Sequence, residues 1–259
     1  HKYIPYTKVF RRTEKIEIEE YGTFEGYANR DSLDYLGKYD LEGVSTIYRG
    51  TLRRPGFCRA WDLFVQLGVT DDSYIVEDSE SMTFREFINS FLPFNPTDSV
   101  ELKLMQYLKI DQDSGLMEKL QSLNIFSDQK IGLSRATPAK ILEHILKQSW
   151  TMKPDDKDMI VMWHKFFYLA SNGKPYQKTS SLVVLGEDSS HTAMAKTVGL
   201  PMGIVAKLIL KGEIKLKGLQ LPVKKEIYEP VLKELQQFGI HFKEQTIPQT
   251  DNYENQPIF

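Results

Sequence analysis

The sequence predicts an α+β fold, a mixed sheet packed with helices and interrupted by an all-helical insertion subdomain. Three observations carry that expectation. Apolar and charged residues alternate with a period of two near the start of the chain, the mark of a half-buried strand. Helical stripes then fill the stretch from Cys58 to about Trp150. Strand signals return from Asp158, around an Asn-Gly pair, and further helices and a strand follow. This order places residues 1–57 and 156–250 in one discontinuous α+β domain, residues 58–155 in a helical insertion, and residues 251–259 in a flexible tail.

Ile16 and Ile18 alternate with Glu17 and Glu19, so the first strand turns one face to a core and the other to water. Gly22 to Tyr27 reads as a second strand. Asn29-Arg30-Asp31-Ser32 breaks the pattern, and Asp31 or Ser32 can cap a short helix through Leu36. Val44 to Arg53 reads as a third strand, stopped by Pro55-Gly56. In the helical stretch, Trp61, Leu63, Phe64 and Leu67 share one stripe. Thr83-Phe84-Arg85-Glu86 forms a capping box ahead of Phe87, Ile88 and Phe91. Leu102, Met105 and Leu108 make a further stripe. Thr137-Pro138 opens a helix that carries Ile141, Leu142, Ile145 and Leu146.

Met159 to Leu169 and Lys174 to Leu185 flank Asn172-Gly173 as the strands of a hairpin. A helix from about Thr192 to Leu210 follows. Ala193, Ala195, Gly199, Gly203 and Ala206 let its backbone approach a sheet, and Pro201 should kink it. Leu219 to Val223 reads as a short strand, Glu229 to Phe238 as a helix ended by Gly239, and Ile240 to Ile247 as the last strand.

Composition narrows the function. The 259 residues are 41% hydrophobic and 26% charged with a formal net charge of −2, values of an ordinary globular protein. That balance gives no reason to expect nucleic acid as a partner. No membrane partner is expected either, because the longest apolar run, Thr192 to Leu210, is interrupted by Lys196, Gly199, Pro201 and Lys207. The single cysteine, Cys58, excludes an internal disulfide and suits a reducing compartment, so a cytoplasmic location is expected. A small buried thiol is its expected role, ahead of a nucleophile. The five histidines show no metal-ligand spacing, so no metal is expected. No glycine-rich dinucleotide turn, Walker loop or GxSxG elbow is present. Asp155-Asp156-Lys157-Asp158 reads as a solvated turn.

Two arginine-bearing segments stand out. Arg30 lies at a strand end just before a helix start, where unpaired backbone N–H groups could join it in holding an anion; a surface ion pair with Asp31 or Asp34 is the other reading. In Tyr48-Arg49-Gly50-Thr51-Leu52-Arg53-Arg54, alternation sets Arg49, Thr51 and Arg53 on one face and Tyr48, Gly50 and Leu52 on the other. A hydroxyl beside a guanidinium fork suits a carboxylate, while an edge strand facing solvent would show the same pattern. Ser189-Ser190-His191-Thr192 could present helix N-terminal donors to an anion, although a capping role for Ser190 or a neighbour of His191 is the plainer reading. The lysines from Lys207 to Lys225 read as an exposed helix face.

Taken in order, the blocks Gly26 to Ser32, Arg49 to Arg53, Ala193 to Pro201 and Glu226 to Leu232 resemble saccharopine dehydrogenases of the L-glutamate-forming type, also called saccharopine reductases. The likeness runs from about Thr23 to Gly239. It implies an oxidoreductase of lysine and amino-acid metabolism that interconverts saccharopine with L-glutamate and 2-aminoadipate 6-semialdehyde, using NAD or NADP. It implies a Rossmann domain joined to an α+β substrate domain with a helical insertion. The present chain would be the C-terminal, substrate-binding part, with the Rossmann domain upstream and absent and the isolated chain inactive. The resemblance assigns saccharopine binding to Arg30, Thr51, Leu52 and Arg53, with Leu52 contributing main-chain contacts. The acidic and cysteine residues of the catalytic centre are expected upstream, and Cys58 does not match that cysteine. Arg54 stands where the family commonly has an aromatic residue. A homodimer rests on fold analogy. The rival expectations are a non-catalytic binding or dimerisation module and a related reductase of carboxylated polyamines.

Overall fold

Isoleucines alternating with charged residues do build a strand. β1 (Thr13–Ile18) pairs antiparallel with β2 (Gly22–Ala28), and β2 pairs antiparallel with β3 (Gly50–Arg53). The structure is a computed structural model and describes residues 3–249. It comprises two units: residues up to Arg30 together with Gly50–Thr151, and Asp31–Arg49 together with Met152 onward. The tail expected at residues 251–259 lies outside the described residues.

In the first unit, Ile16, Ile18 and Phe24 on one face of the β1-β2-β3 sheet are buried. On the other face Tyr27 packs against Phe10, just beyond the short helix α1 (Tyr6–Val9), with ring centroids 4.7 Å apart. Five further helices follow: α2 (Phe57–Leu67), α3 (Phe84–Ser90), α4 (Val100–Tyr107), α5 (Leu116–Ser122) and α6 (Pro138–Trp150). Their core includes Phe84, Phe87, Leu104, Ile125, Ile141 and Ile145. The capping box at Thr83 and Glu86 is formed on both sides, and Thr137 caps α6 ahead of Pro138. Arg85 of α3 holds Glu101 of α4 through two bonds of 2.8 and 3.0 Å. The one buried serine of this core, Ser79, donates to the Leu133 carbonyl and accepts from the Ala136 N–H, so its burial leaves no polar atom unmatched.

The second unit contains the hairpin of β4 (Met159–Leu169) and β5 (Pro175–Leu185), with β6 (Lys243–Pro248) antiparallel to β5. Ser180, Leu182 and Val184 are the buried positions of β5. Leu182 and Val184 share a core with α7 (Ala193–Leu210) and α8 (Lys225–Leu235) through Ile204, Leu208, Val231 and Leu235. α7 runs unbroken through Lys196, Gly199, Pro201 and Lys207. Contrary to the expectation from sequence, it is therefore long and apolar enough to cross a bilayer, by length and composition alone.

Several other expectations need correcting. In place of one mixed sheet there are, among the described residues, two antiparallel sheets of three strands each. The helices from Cys58 onward share a unit with the first sheet. The physical link is a core of Phe10, Cys58 and Val65 against which Tyr27, Phe57 and Trp61 pack. Val44 to Arg49 is not strand; the Arg49 N–H bonds the Ser32 hydroxyl at 2.9 Å in place of a neighbouring strand. Leu219 to Val223 likewise forms no strand, and Leu219 stands in solvent. α8 begins at Lys225, ahead of the expected Glu229, and carries Pro230 inside it.

Candidate functional site

Antiparallel pairing decides which side chains of the first sheet share a face. Tyr27 lies opposite Thr51 and Glu25 opposite Arg53, so these four belong to one face. Gly26 lies opposite Leu52, and both belong to the other. Gly26 is required there by space: a Cβ would stand 3.3 Å from Leu52 Cδ2 and 3.3 Å from Ile16 Cδ1. Leu52 thus turns its side chain away from Thr51 and Arg53.

The Thr51 hydroxyl accepts a hydrogen bond from Asn29 Nδ2 at 2.7 Å. Asn29 is the first residue beyond β2 and stands diagonally across the strand pair from Thr51. Arg30 follows it, with φ at 60°. This left-handed backbone costs a non-glycine residue roughly 1 kcal/mol and ends the strand alternation. Asp31 and Ser32 then lead into a three-residue 3₁₀ turn, Leu33–Tyr35. Asp31 accepts the Leu33 N–H at 2.8 Å, and neither residue caps an α-helix. Arg30 is exposed and, among the described residues, takes part in no ion pair.

Arg53 is also exposed and, among the described residues, without an ion pair. Its Nη1 donates to the Leu52 carbonyl at 2.9 Å, and its guanidinium lies over the Phe57 ring, 5.4 Å from the centroid. The carboxylate opposite, Glu25, is engaged elsewhere. It accepts the backbone N–H of Gly56 at 2.9 Å and of Cys58 at 3.3 Å, at the start of α2. A carboxylate is favoured there by the unpaired N–H groups and the helix dipole. Phe57 stacks on Trp61 at 5.7 Å, and Trp61 on Trp150 at 6.1 Å. The last pair lines a cavity of about 410 Å³ with Tyr6, Leu142 and Leu146. A ladder of rings therefore connects Arg53 to an apolar cleft.

The register also sets the spacing of the backbone positions beside the two arginines. Asn29 is four residues along β2 from the partner of Arg53, roughly 13 Å at the rise of an extended chain. Thr51, opposite Tyr27, lies midway between those two positions along the strand pair. Arg49, expected on the same face, precedes β3 and stacks on Tyr35 at 3.9 Å from the ring centroid.

Other candidates fall away. The N-terminus of α7 is already filled: Asp158 accepts the N–H of Ala193 at 2.5 Å and of Met194 at 2.9 Å, and Thr192 accepts that of Ala195 at 2.9 Å. Thr192 is the capping residue, and Asp158 is a ligand of the helix end, not part of a solvated turn. His191 pairs instead with Asp188, whose carboxyl is held down to about 2 by the His191 N–H, the His191 ring and the Ser190 N–H. Lys207 is tied to Glu234 and Lys225 to Glu229. Burial, and after it the Glu25 carboxylate, push the Cys58 thiol up to about 12, so it stays protonated at neutral pH. Among the described residues, no three His, Cys, Asp or Glu side chains cluster closely enough to hold a metal ion. The parts of Asn29, Glu25 and Phe57 have no local signal in the sequence; the β2–β3 register shows the first two and the start of α2 the third.

The family model of the saccharopine dehydrogenase C-terminal domain matches residues 1–240. The alpha-aminoadipic semialdehyde synthase, mitochondrial, of Rattus norvegicus is 34% identical over 226 residues, 86% of this chain and 24% of that protein. The saccharopine dehydrogenase [NADP(+), L-glutamate-forming] of Saccharomyces cerevisiae is 32% identical over 230 residues, 86% of this chain and 51% of that protein. A solved structure of the apo, histidine-tagged, L-Glu-forming saccharopine dehydrogenase from Saccharomyces cerevisiae superposes with a TM-score of 0.81 at 29% identity, covering 92% of this chain and 55% of that one. The chain thus spans about half the length of the yeast protein and about a quarter of the rat one.

Proposed function

The chain belongs to the saccharopine dehydrogenase C-terminal domain family, and from that premise we propose that it is the substrate-binding portion of an NADP-dependent oxidoreductase interconverting saccharopine with L-glutamate and 2-aminoadipate 6-semialdehyde in lysine metabolism. The observation that carries this reading is Thr51 and Arg53 on one face of β3, with the exposed Arg30 in the turn directly after Asn29, the partner of the Thr51 hydroxyl; neither guanidinium has an ion pair among the described residues.

Saccharopine is an extended molecule with three carboxylates and a secondary amine. Two guanidinium forks, one on β3 and one in the turn after β2, suit carboxylates at separate points of that molecule. Arg53 retains donors beyond the one bonded to the Leu52 carbonyl, and Phe57 beneath it holds its plane. Leu52 serves through its main chain, since its side chain faces Gly26. With both ends held, the C–H bond beside the secondary amine has a defined place, which is what a hydride-transfer reaction asks of its protein. At the N-terminus of α7 the Ala193 and Met194 N–H groups are taken by Asp158 and are not free to hold a dinucleotide phosphate. We assign the dinucleotide and the acid–base groups to a Rossmann domain in the part of the whole protein that this chain does not span.

Calorimetry of the 259-residue chain with saccharopine, with and without Arg30→Ala, tests the reading. Binding that falls at least tenfold in the variant, with no turnover by the isolated chain, is the expected result. Identical heats in both proteins would instead favour a non-catalytic module, and steady-state assays of the whole protein separate saccharopine from a carboxylated polyamine as substrate. The same reading includes a homodimer through the β4-β5-β6 sheet, where β4 exposes Met162, Phe166 and Leu169, and sedimentation equilibrium measures it. It also places the protein in the cytoplasm, which cell fractionation tests.

A further inference from the structure

A threonine hydroxyl has one hydrogen to donate and lone pairs to accept with. Asn29 Nδ2 donates into the Thr51 oxygen at 2.7 Å. One lone pair is thereby occupied, and the amide hydrogen there repels a second hydrogen pointing the same way. The Thr51 hydrogen is left to turn outward, to the face it shares with Arg53. From this geometry we infer that Asn29 is a positioning residue that fixes the Thr51 hydroxyl as a donor, which makes the hydroxyl a selective contact for a carboxylate oxygen of the substrate. The inference rests on the substrate site proposed above and adds to it a residue and a specificity: Thr51 meets an acceptor and disfavours a donor such as an amide NH₂ or an ammonium.

Two features strengthen the assignment. Asn29 is fixed to its place by the register, because pairing ends at Ala28 with Gly50 and puts Asn29 on the diagonal to Thr51. The left-handed backbone at Arg30, immediately after it, stops the strand there. Arg30 and the Asn29–Thr51 pair are therefore set by one turn. Neither Asn29 nor Thr51 is buried, so the pair is open to a ligand.

The test is a double-mutant cycle in the whole enzyme, with kcat/KM for saccharopine as the readout and thermal unfolding as the folding control. Asn29→Asp replaces a donor by an acceptor, so the Thr51 hydrogen turns inward and its lone pairs face the substrate carboxylate. A loss of about tenfold, carried by KM, is expected. Thr51→Val removes the hydroxyl and is expected to lose a similar factor, while Thr51→Ser keeps activity within about threefold. In the Thr51→Val background, Asn29→Asp should cost no more than about threefold further, because Asn29 then has no hydroxyl to direct. Losses that multiply independently in the double variant, or an Asn29→Asp enzyme that matches wild type, overturn the inference. The cycle is read beside Arg53→Ala. If Arg53→Ala and Thr51→Val both leave kcat/KM unchanged, it is the proposed substrate site that has failed; if only the coupling is missing, the site stands and the role of Asn29 does not.

Discussion

Replacing Arg53 by lysine keeps the charge and removes the planar fork. In the structure, one hydrogen on Nη1 is already used on the Leu52 carbonyl at 2.9 Å, and Phe57 lies 5.4 Å beneath the guanidinium. The remaining edge can offer a carboxylate two parallel hydrogen bonds; a lysine ammonium offers a point charge and no plane to rest on the ring. One charge-assisted hydrogen bond is worth about 1.5–3 kcal/mol when well shielded. Arg53 is exposed, so solvent screening lowers the expected loss to about 1–2 kcal/mol. At 1.4 kcal/mol per factor of ten, that is a fall of about 5- to 30-fold in kcat/KM for saccharopine in the whole enzyme. Thermal unfolding should stay within about 0.5 kcal/mol of wild type, as for exposed substitutions generally. Arg53→Ala should lose more than Arg53→Lys. If both variants turn over saccharopine within twofold of wild type, Arg53 does not touch a substrate carboxylate and the geometry has been misread.

Asp158→Ala removes two acceptors from the start of α7 and should destabilise the second unit by about 1–2 kcal/mol, visible as a lower urea midpoint; an unchanged midpoint would deny the cap its role. Gly186→Ala should be at least as damaging, because its Cβ would sit 3.0 Å from the Ala193 nitrogen and against Asp158 itself. His191 should titrate above 6.5 by NMR, and Asp188→Asn should bring it back, since the Asp188 carboxylate is what raises it. A raised base stabilises fully below 6.5 and loses its effect as pH climbs through the folded value. Asp188, lowered to about 2, stabilises above 3.8 and loses its effect as pH falls towards 2. The pair therefore helps most between those limits. Cys58 should resist alkylation in the folded protein at pH 8 and react once urea exposes it, because burial keeps it a thiol; fast labelling of the native protein would contradict that.

Signals that live between near neighbours were legible in the chain. Ile16 and Ile18 announced β1, Thr83 with Glu86 announced the start of α3, and Thr137-Pro138 that of α6. The hairpin around Asn172-Gly173 was readable too, and ordered blocks such as Gly26 to Ser32 pointed to the family. Periodicity and capping depend on residues one to four positions apart, so composition along the chain suffices to show them.

What joins distant segments was decided by the tertiary structure alone. Sequence set Arg49, Thr51 and Arg53 on one face, yet the pairing of β3 with β2 begins only at Gly50 and leaves Arg49 to stack on Tyr35. That same register brings Asn29 to Thr51, 22 positions away. It also places Glu25 across from Arg53, while packing against the start of α2 draws the Glu25 carboxylate to Gly56, 31 positions on. Asp158 reads as part of a solvated acidic turn until it is seen against the first turn of α7, 35 positions later. A strand slipped by one residue would exchange its two faces, and local pattern cannot exclude that slip; only the partner strand, with its own side chains to bury, selects one register.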